Sequence, residues 1–361
     1  MTSPVRPFRP RVSPDAEAFQ SFLVGLKSVW GGELFREVAR EARSRGVDDP
    51  AAIEREMRAS PAYQYFAWLE HYLQQYRFVG PYGIIKEFEA QAPEIVAALD
   101  GATRRGPGRI TLNPDLELPR YYREGDFHQH PGGIWSDDID ACVYEWGARL
   151  GAFSVVLKDA DDLHGRFASS VVRPAGLDVV DLGCGFGKST LPLRRCTPSG
   201  RVVGVDLSAP VLKLAHLRAV EAGLEIDWYQ ANAECLPFPD ASFDVVTATM
   251  LIHELPPTAL RRVFREARRV LRPGGRLAFL DFYAVPGGAV GRFFHLGHAD
   301  RNREPYMRTL CRMDLSDELT EAGFHAVGVD PFEEQDGGLG RGGDLPDAWR
   351  LPWTTILAEA A

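Results

Sequence analysis

The sequence predicts an α/β fold, a largely parallel sheet flanked by helices and preceded by a region built of helices alone. Three observations carry this. First, Leu177, Val179, Val180 and Leu182 form a short apolar run rich in β-branched residues, the pattern of a strand buried on both faces. Asp181 closes that run, Gly183, Gly185 and Gly187 follow as a tight turn, and Lys188 to Arg195 read as the start of a helix. Second, further strand-like runs follow in order, at Arg201–Asp206, Ile226–Gln230, Ser242–Thr249 and Arg276–Phe282. Third, the first hundred residues show apolar spacing at helical intervals.

The strand, glycine turn and helix define a ligand site. Glycines let backbone approach a ligand closely, and the N–H groups at a helix start favour a polar or anionic group. The spacing is G-x-G-x-G after an acidic residue, not G-x-G-x-x-G. It suits pyrophosphate poorly and a nucleoside with an uncharged linker better. The second strand ends in Asp206, an acid able to accept from both ribose hydroxyls of an adenosine. Leu271-Arg272-Pro273-Gly274-Gly275 ends a helix and turns into the fifth strand.

With these five ordered motifs, the chain from about Ala148 to Ala361 resembles the class I S-adenosylmethionine (SAM)-dependent methyltransferases. It looks most like the small-molecule branch that includes ubiquinone/menaquinone-biosynthesis and sterol methyltransferases. The resemblance implies a Rossmann-like seven-stranded class I methyltransferase sheet in the order 3-2-1-4-5-7-6, with strand seven antiparallel. Phe324–Phe332 and Trp353–Glu359 would be strands six and seven. It also implies SAM as cofactor and S-adenosylhomocysteine as product. By resemblance, Asp181, Gly183, Cys184 and Gly185 surround the methionine part, Asp206 takes the ribose, and Leu207 packs on the adenine. Asn232 and Ala233 stand where the family often has Asp-Ala at the adenine amino edge. Asn232 departs from that pattern, yet its amide oxygen still accepts the bond. Thr249, with Met250 and Leu251, follows strand four, where the family opens toward the methyl group.

Composition narrows the partners. Of 361 residues, 45% are hydrophobic, ample for a packed core, and the formal charge is −9. That balance disfavours a nucleic acid substrate. No apolar run approaches 18 residues, so no membrane span is expected, and the Pro- and Arg-rich start, Met1–Pro14, reads as a disordered tail and not a secretory signal. Five scattered cysteines without a C-x-x-C pair suit reduced thiols in the cytoplasm. The expected organisation is a tail (1–14), an all-α domain (15–100), a linker and lid (101–147) and the methyltransferase domain (148–361).

Helices are expected over Asp15–Trp30, Glu33–Ser44, Asp49–Ala59 and Ala62–Phe78. In the last, Tyr65, Trp68, Leu69, Tyr72, Leu73 and Tyr76 form a stripe that reads either as core or dimer contact, or as the lining of an apolar pocket. His71 lies off the stripe and is expected to face solvent. A homodimer through these helices follows from the first of those readings. Gly101–Pro114 has a linker's composition. Tyr121–Asp140 is long, aromatic and acidic, and is read as a lid over the site or as a solvated connection. Its Asp126, His128 and His130 suggest a metal only weakly, since zinc needs three or four ligands, so no metal is expected. His128 or His130 as substrate contact or base is preferred, and His253, just beyond strand four, is a third candidate catalytic residue. The loop Ala284–Leu310, with His295, His298, Arg301, Asn302, Arg303 and Tyr306, follows strand five and either reaches the acceptor or forms a solvated face.

The function expected is methyl transfer to a small, fairly apolar acceptor, at oxygen ahead of nitrogen or carbon and sulfur last. Thr249-Met250-Leu251-Ile252 replaces the N/D-P-P-[YF] tetrapeptide of the amino-methylating enzymes. The rivals are a SAM-binding module without chemistry and, opposed by the glycine spacing, a nicotinamide dehydrogenase.

Overall fold

Helix starts in the first hundred residues are written locally. Ser13, Asp49 and Ser60 each accept a backbone N–H three residues on, from Ala16, Ala52 and Tyr63, and a proline follows each cap. These caps open α1 (Pro14–Val29), α3 (Pro50–Met57) and α4 (Pro61–Tyr76). Between α1 and α2 (Phe35–Ser44) the chain does not break. A π-helical turn, Trp30–Leu34, carries it through Gly31 and Gly32, so the two expected helices are one run with a bulge. α5 (Ile84–Glu89) and α6 (Ala92–Ala102) complete the helical region. The computed structural model describes residues 7–123, 127–131, 133, 137–150, 160–172, 176–285, 287–332 and 345–361.

Among the described residues, eight strands form one sheet: β1 (Ile110–Thr111), β2 (Val179–Leu182), β3 (Val202–Asp206), β4 (Asp227–Gln230), β5 (Phe243–Thr249), β6 (Leu271–Phe282), β7 (Phe324–Pro331) and β8 (Trp353–Ala360). The order is β1-β4-β3-β2-β5-β6-β8-β7, parallel except where β8 pairs antiparallel with β6 and β7. The expected seven-stranded order is present, with one edge strand added. That strand lies in the stretch whose composition reads as linker. Ile110 and Thr111 pair with Trp228 and Tyr229, and the Arg109 carbonyl accepts the Trp228 N–H at 2.7 Å. Two residues are too short to show a period, so the sheet edge, not the local pattern, makes this strand.

The helices between strands that bear on the site are α7 (Arg120–Arg123), α8 (Asp138–Leu150), α9 (Ala160–Val171), α10 (Thr190–Cys196), α11 (Ala209–Ala222), α12 (Pro257–Val270), α13 (Gly288–Arg301), α14 (Met307–Leu310) and α15 (Leu315–Glu321). The N-terminal helices pack onto this framework. Phe78, Ile84, Phe88, Ile95 and Leu99 share a core cluster with Val211, Leu214 and Leu217 of α11. Trp30, Phe35 and Phe66 stack among themselves and on Phe294 of α13.

Helix α4 has the expected period but a rotated phase. Its buried residues are Tyr63, Phe66, Leu69, Glu70, Leu73 and Gln74, while Tyr65, Trp68 and Tyr76 are 40–53% exposed. Trp68, Tyr72 and Tyr76 stack on one another at 4.8 and 5.4 Å along the outside. The phase follows from partners the sequence does not advertise. Glu70 accepts from Arg301 Nε, from His298 Nδ1 at 2.6 Å and from Asn302 Nδ2 at 3.1 Å. Tyr and Trp rings tolerate water at their polar tips, whereas a partnered carboxylate stays inside. His71, expected in solvent, is partly buried and bonds the Arg301 carbonyl at 3.1 Å.

Burial alone would raise the Glu70 carboxyl, but the charges of Arg301 and His298 hold it down at about 2. Removing it strands the Arg301 guanidinium. We expect Glu70→Ala to lose about 3–5 kcal/mol in urea unfolding. A group lowered on folding contributes fully above its unfolded value, so the difference from wild type should be complete above about pH 4.5 and shrink as pH falls toward 2.

Candidate active site

β2 ends in a turn that only glycine makes. Gly183 and Gly185 have φ of +61° and +51°, and a Cβ on Gly183 would lie 2.7 Å from Leu251 Cδ1. The Gly185 N–H donates to Asp206 Oδ2 at 2.9 Å, and the Ser208 N–H donates to Asp206 Oδ1 at 2.8 Å. The acid at the end of β3 thus fixes both the glycine turn and the start of α11. Burial raises the Asp206 carboxyl to about 6.

A cleft of about 1420 Å³, part of it open to solvent, lies at the carboxyl ends of these strands. Of the residues expected at the cofactor, Gly183, Cys184, Gly185, Asp206, Leu207, Asn232, Ala233 and Thr249 line it. Asp181 does not. It is fully buried behind the turn, and its carboxylate accepts from the hydroxyls of Ser189 (2.7 Å), Thr190 (2.6 Å) and Thr247 (2.9 Å). Its place is to anchor α10 to β2 and β5.

Of the three expected catalytic histidines, only His128 lines the cleft. His130 is fully buried, with Nε2 on Asp140 at 2.8 Å and its ring on Phe78. His253 is buried with Nδ1 on Asp281 at 2.5 Å. His128 is not a free base either. Its Nδ1 meets Glu304 at 2.7 Å and its Nε2 meets Glu254 at 2.9 Å. Burial alone would lower it, but the two carboxylates raise it to about 10, so it is protonated at neutral pH. Asp281 and Glu304 likewise outweigh burial at His253, raising it to about 9. His128 also has φ +55° and Gln129 +60°, left-handed conformations costing roughly 1–2 kcal/mol each in residues with a Cβ. Gln74 and Gln129 hold this strained turn, donating to the carbonyls of His128 (3.0 Å) and Arg301 (2.8 Å).

Three distant segments therefore meet at one imidazolium: the Phe127–Gln129 turn, the 3-10 turn Ile252–Glu254 after β5, and Glu304 after α13. The insertion after strand five, read as reaching the acceptor or as a solvated face, forms α13 and α14; none of its described residues lines the cleft, and Glu304 touches only His128 of the cleft lining. Sequence reasoning missed Glu254 and Glu304, as well as Arg77, Tyr122, Tyr144 and His164, which also line the cleft or support it. Among the described residues no group of three or more His, Cys, Asp or Glu is placed to hold a metal ion, and Asp126 lies outside those residues.

The lining fits a nucleoside. An acid faces it from β3, Val205, Leu207, Ala231 and Ala233 offer an apolar wall, and Thr249 Oγ1 is buried without a hydrogen-bond partner. With the sheet order, these features define a class I SAM-dependent methyltransferase domain, and residues 179–275 match the family model described as "Methyltransferase domain". The chain is similar to the demethylmenaquinone methyltransferase of Thermus thermophilus, 37% identical over 36% of this chain and 59% of that one. It is also similar to the 27-O-demethylrifamycin SV methyltransferase of Amycolatopsis mediterranei, 38% identical over 51% and 65%. A third relative is the ubiquinone biosynthesis O-methyltransferase of Nitrosococcus oceani, 33% identical over 41% and 61%. The chain thus spans less than two thirds of each of these relatives.

The His128 cluster makes a testable statement about stability. A group raised on folding contributes fully below its unfolded value, and that contribution disappears as pH passes its folded value. We expect His128→Gln to lose about 3–5 kcal/mol near pH 6, with the deficit shrinking as pH passes about 10 in urea unfolding.

Proposed function

We propose that this chain transfers the methyl group of SAM to a small, fairly apolar acceptor bound in the same cleft. Bound SAM supplies a methyl group on a sulfonium, already electrophilic, so no side-chain nucleophile is required. Asp206 takes the ribose hydroxyls, Leu207 packs on the base and Asn232 with Ala233 meets its amino edge. Asn232 Oδ1 already accepts the Glu234 N–H at 2.9 Å, which fixes the amide oxygen in place, and its second lone pair serves the adenine. Gly183, Cys184 and Gly185 give the amino-acid end room against the backbone.

The acceptor side is formed by Met250, Leu251 and Leu255 with Tyr122, His128 and Glu254. His128, protonated and doubly anchored, holds Glu254 at the cleft and excludes water with the turn that carries it. Glu254, not a histidine, is the residue to which a departing acceptor proton goes. Oxygen acceptors lead, as in the relatives named for O-methylation, with carbon next, as quinone-type relatives suggest. We place the activity in the cytoplasm, without nucleic acid. We assign a homodimer to the exposed Trp68 and Tyr76 face of α4. No helix among the described residues is long and apolar enough to cross a membrane.

The observation that carries this reading is the partly buried Asp206 carboxylate at the end of β3, facing the cleft beside the glycine turn. Isothermal calorimetry should show SAM and S-adenosylhomocysteine binding to wild type. Asp206→Ala should weaken both by about 2–4 kcal/mol, the loss of paired charge-assisted hydrogen bonds. Transfer of labelled methyl from SAM to phenols and hydroxyquinones completes the test. Binding without transfer to any acceptor would leave a SAM-binding module, and unchanged affinity in Asp206→Ala would remove the ribose assignment.

A further inference from the structure

The cleft contains a cation that the methyl-transfer reading does not use. Arg77 follows α4 directly, and its backbone is pinned, with its carbonyl accepting from Gln20 Nε2 and from the Ile84 N–H, each at 3.0 Å. The residue is 7% exposed and lines the cleft. Its guanidinium lies over the Phe78 ring, 4.3 Å from the centroid, which fixes its plane. Nε and Nη1 are both buried and donate to nothing.

A buried guanidinium keeps its charge, and a buried charge is stabilised by a counter-charge or by several acceptors. Arg77 has neither within the described protein. The nearest strong acid on its own helix, Glu70, is already taken by Arg301, His298 and Asn302. Lys27 lies close by and offers no counter-charge; burial, together with Arg77, lowers its ammonium to about 7. The contrast with the rest of the chain is informative. Arg218, equally buried, is held by Glu145 and Glu221, and Arg301 by Glu70. Besides Thr249 Oγ1, His164 Nδ1 in the same cleft is also buried and without a hydrogen-bond partner. Burial, with Lys188 nearby, lowers this imidazole to about 3, so it is neutral.

We propose that Arg77 is a ligand-binding residue that pairs with a carboxylate delivered into the cleft by a bound small molecule. This rests on the methyl-transfer reading and adds to it a requirement for an acidic group on a ligand. Two sources have that chemistry: the amino-acid end of SAM, or a carboxylate on the acceptor. In either case the N-terminal helical region contributes a residue to the binding site, not only packing. Ligand binding would then also tie α4 to the sheet.

The test compares ligands that differ by the carboxylate. S-adenosylhomocysteine and 5′-methylthioadenosine share a nucleoside, but only the first has the amino-acid end. 4-Hydroxybenzoate and phenol, titrated into protein saturated with S-adenosylhomocysteine, make the same contrast on the acceptor side. In Arg77→Met we expect at least about a tenfold loss in one contrast, with 5′-methylthioadenosine within threefold of wild type as the check that the nucleoside site is folded. Loss of S-adenosylhomocysteine affinity assigns the carboxylate to SAM. Loss of the preference for 4-hydroxybenzoate over phenol assigns it to the acceptor. If Arg77→Met loses 5′-methylthioadenosine as well, Arg77→Lys, which keeps the charge, is read in its place against the same two contrasts, with a loss of about threefold expected and an unchanged pair overturning the proposal. Both contrasts within threefold of wild type in Arg77→Met overturn it directly. Wild type that binds neither nucleoside overturns the methyl-transfer reading, and this proposal with it.

Discussion

The Asp206 carboxylate is the point on which the ligand-binding end of the sheet depends. It sits at the end of β3, beside the strand that carries the glycine turn, and accepts one N–H from that turn and one from the start of α11. Two N–H groups that would otherwise be unpaired near a helix start are satisfied by one side chain. The carboxylate in turn is stabilised in a place where burial raises it to about 6. Removing it would release the turn whose glycines occupy left-handed backbone. The acid that reads as a ribose contact is therefore also the fastener of the loop it works with.

A second polar system closes the cleft. Asp281 accepts the Ile252 N–H at 2.8 Å and holds His253, which orders the turn bearing Glu254. Glu254 and Glu304 then hold His128, while Gln74 and Gln129 hold the backbone around it. Apolar packing joins the helical region to the sheet, at Phe66 and Phe294 and again at Phe78 and α11. Charge and hydrogen bonding decide which loops meet over the cleft. Buried ions stabilise only as complete sets, which makes this arrangement specific and sensitive to single substitutions.

Much of the sheet was legible because β-branched runs such as Val179–Val180 and Val202–Val203 can only be buried strands in this context. Helix starts were legible from Ser-Pro and Asp-Pro caps. The glycine turn is legible because left-handed backbone restricts residue type, and the cleft position of Asp206, Leu207 and Asn232 because they stand at or just past the carboxyl ends of strands. What was not legible depended on tertiary partners. Asp181 has the same position in the motif as a ligand contact, yet it is buried behind the turn, where both its oxygens accept from Ser189, Thr190 and Thr247. The phase of α4 turned on Glu70, whose partners lie 228–232 residues away. His130 and His253 look like bases in a sequence because nothing there shows that Asp140 and Asp281 already hold them. Arg77 gave no signal at all, since an arginine at the end of a helix is ordinarily a solvated cap.

In the function proposed above, ionised Asp206 holds the nucleoside. Its carboxyl is raised to about 6 in the free protein, so ligand binding should depend on pH in a range where the protein remains folded. The deciding measurement is the affinity for S-adenosylhomocysteine by calorimetry from pH 5 to 8, in wild type and in Asp206→Asn. The account predicts a wild-type affinity that is level above about pH 7 and falls toward about tenfold per unit below about pH 6, as protonation removes the acceptor. It predicts a weaker, flat profile in Asp206→Asn. A wild-type profile without that fall, or the same fall in Asp206→Asn, would contradict it.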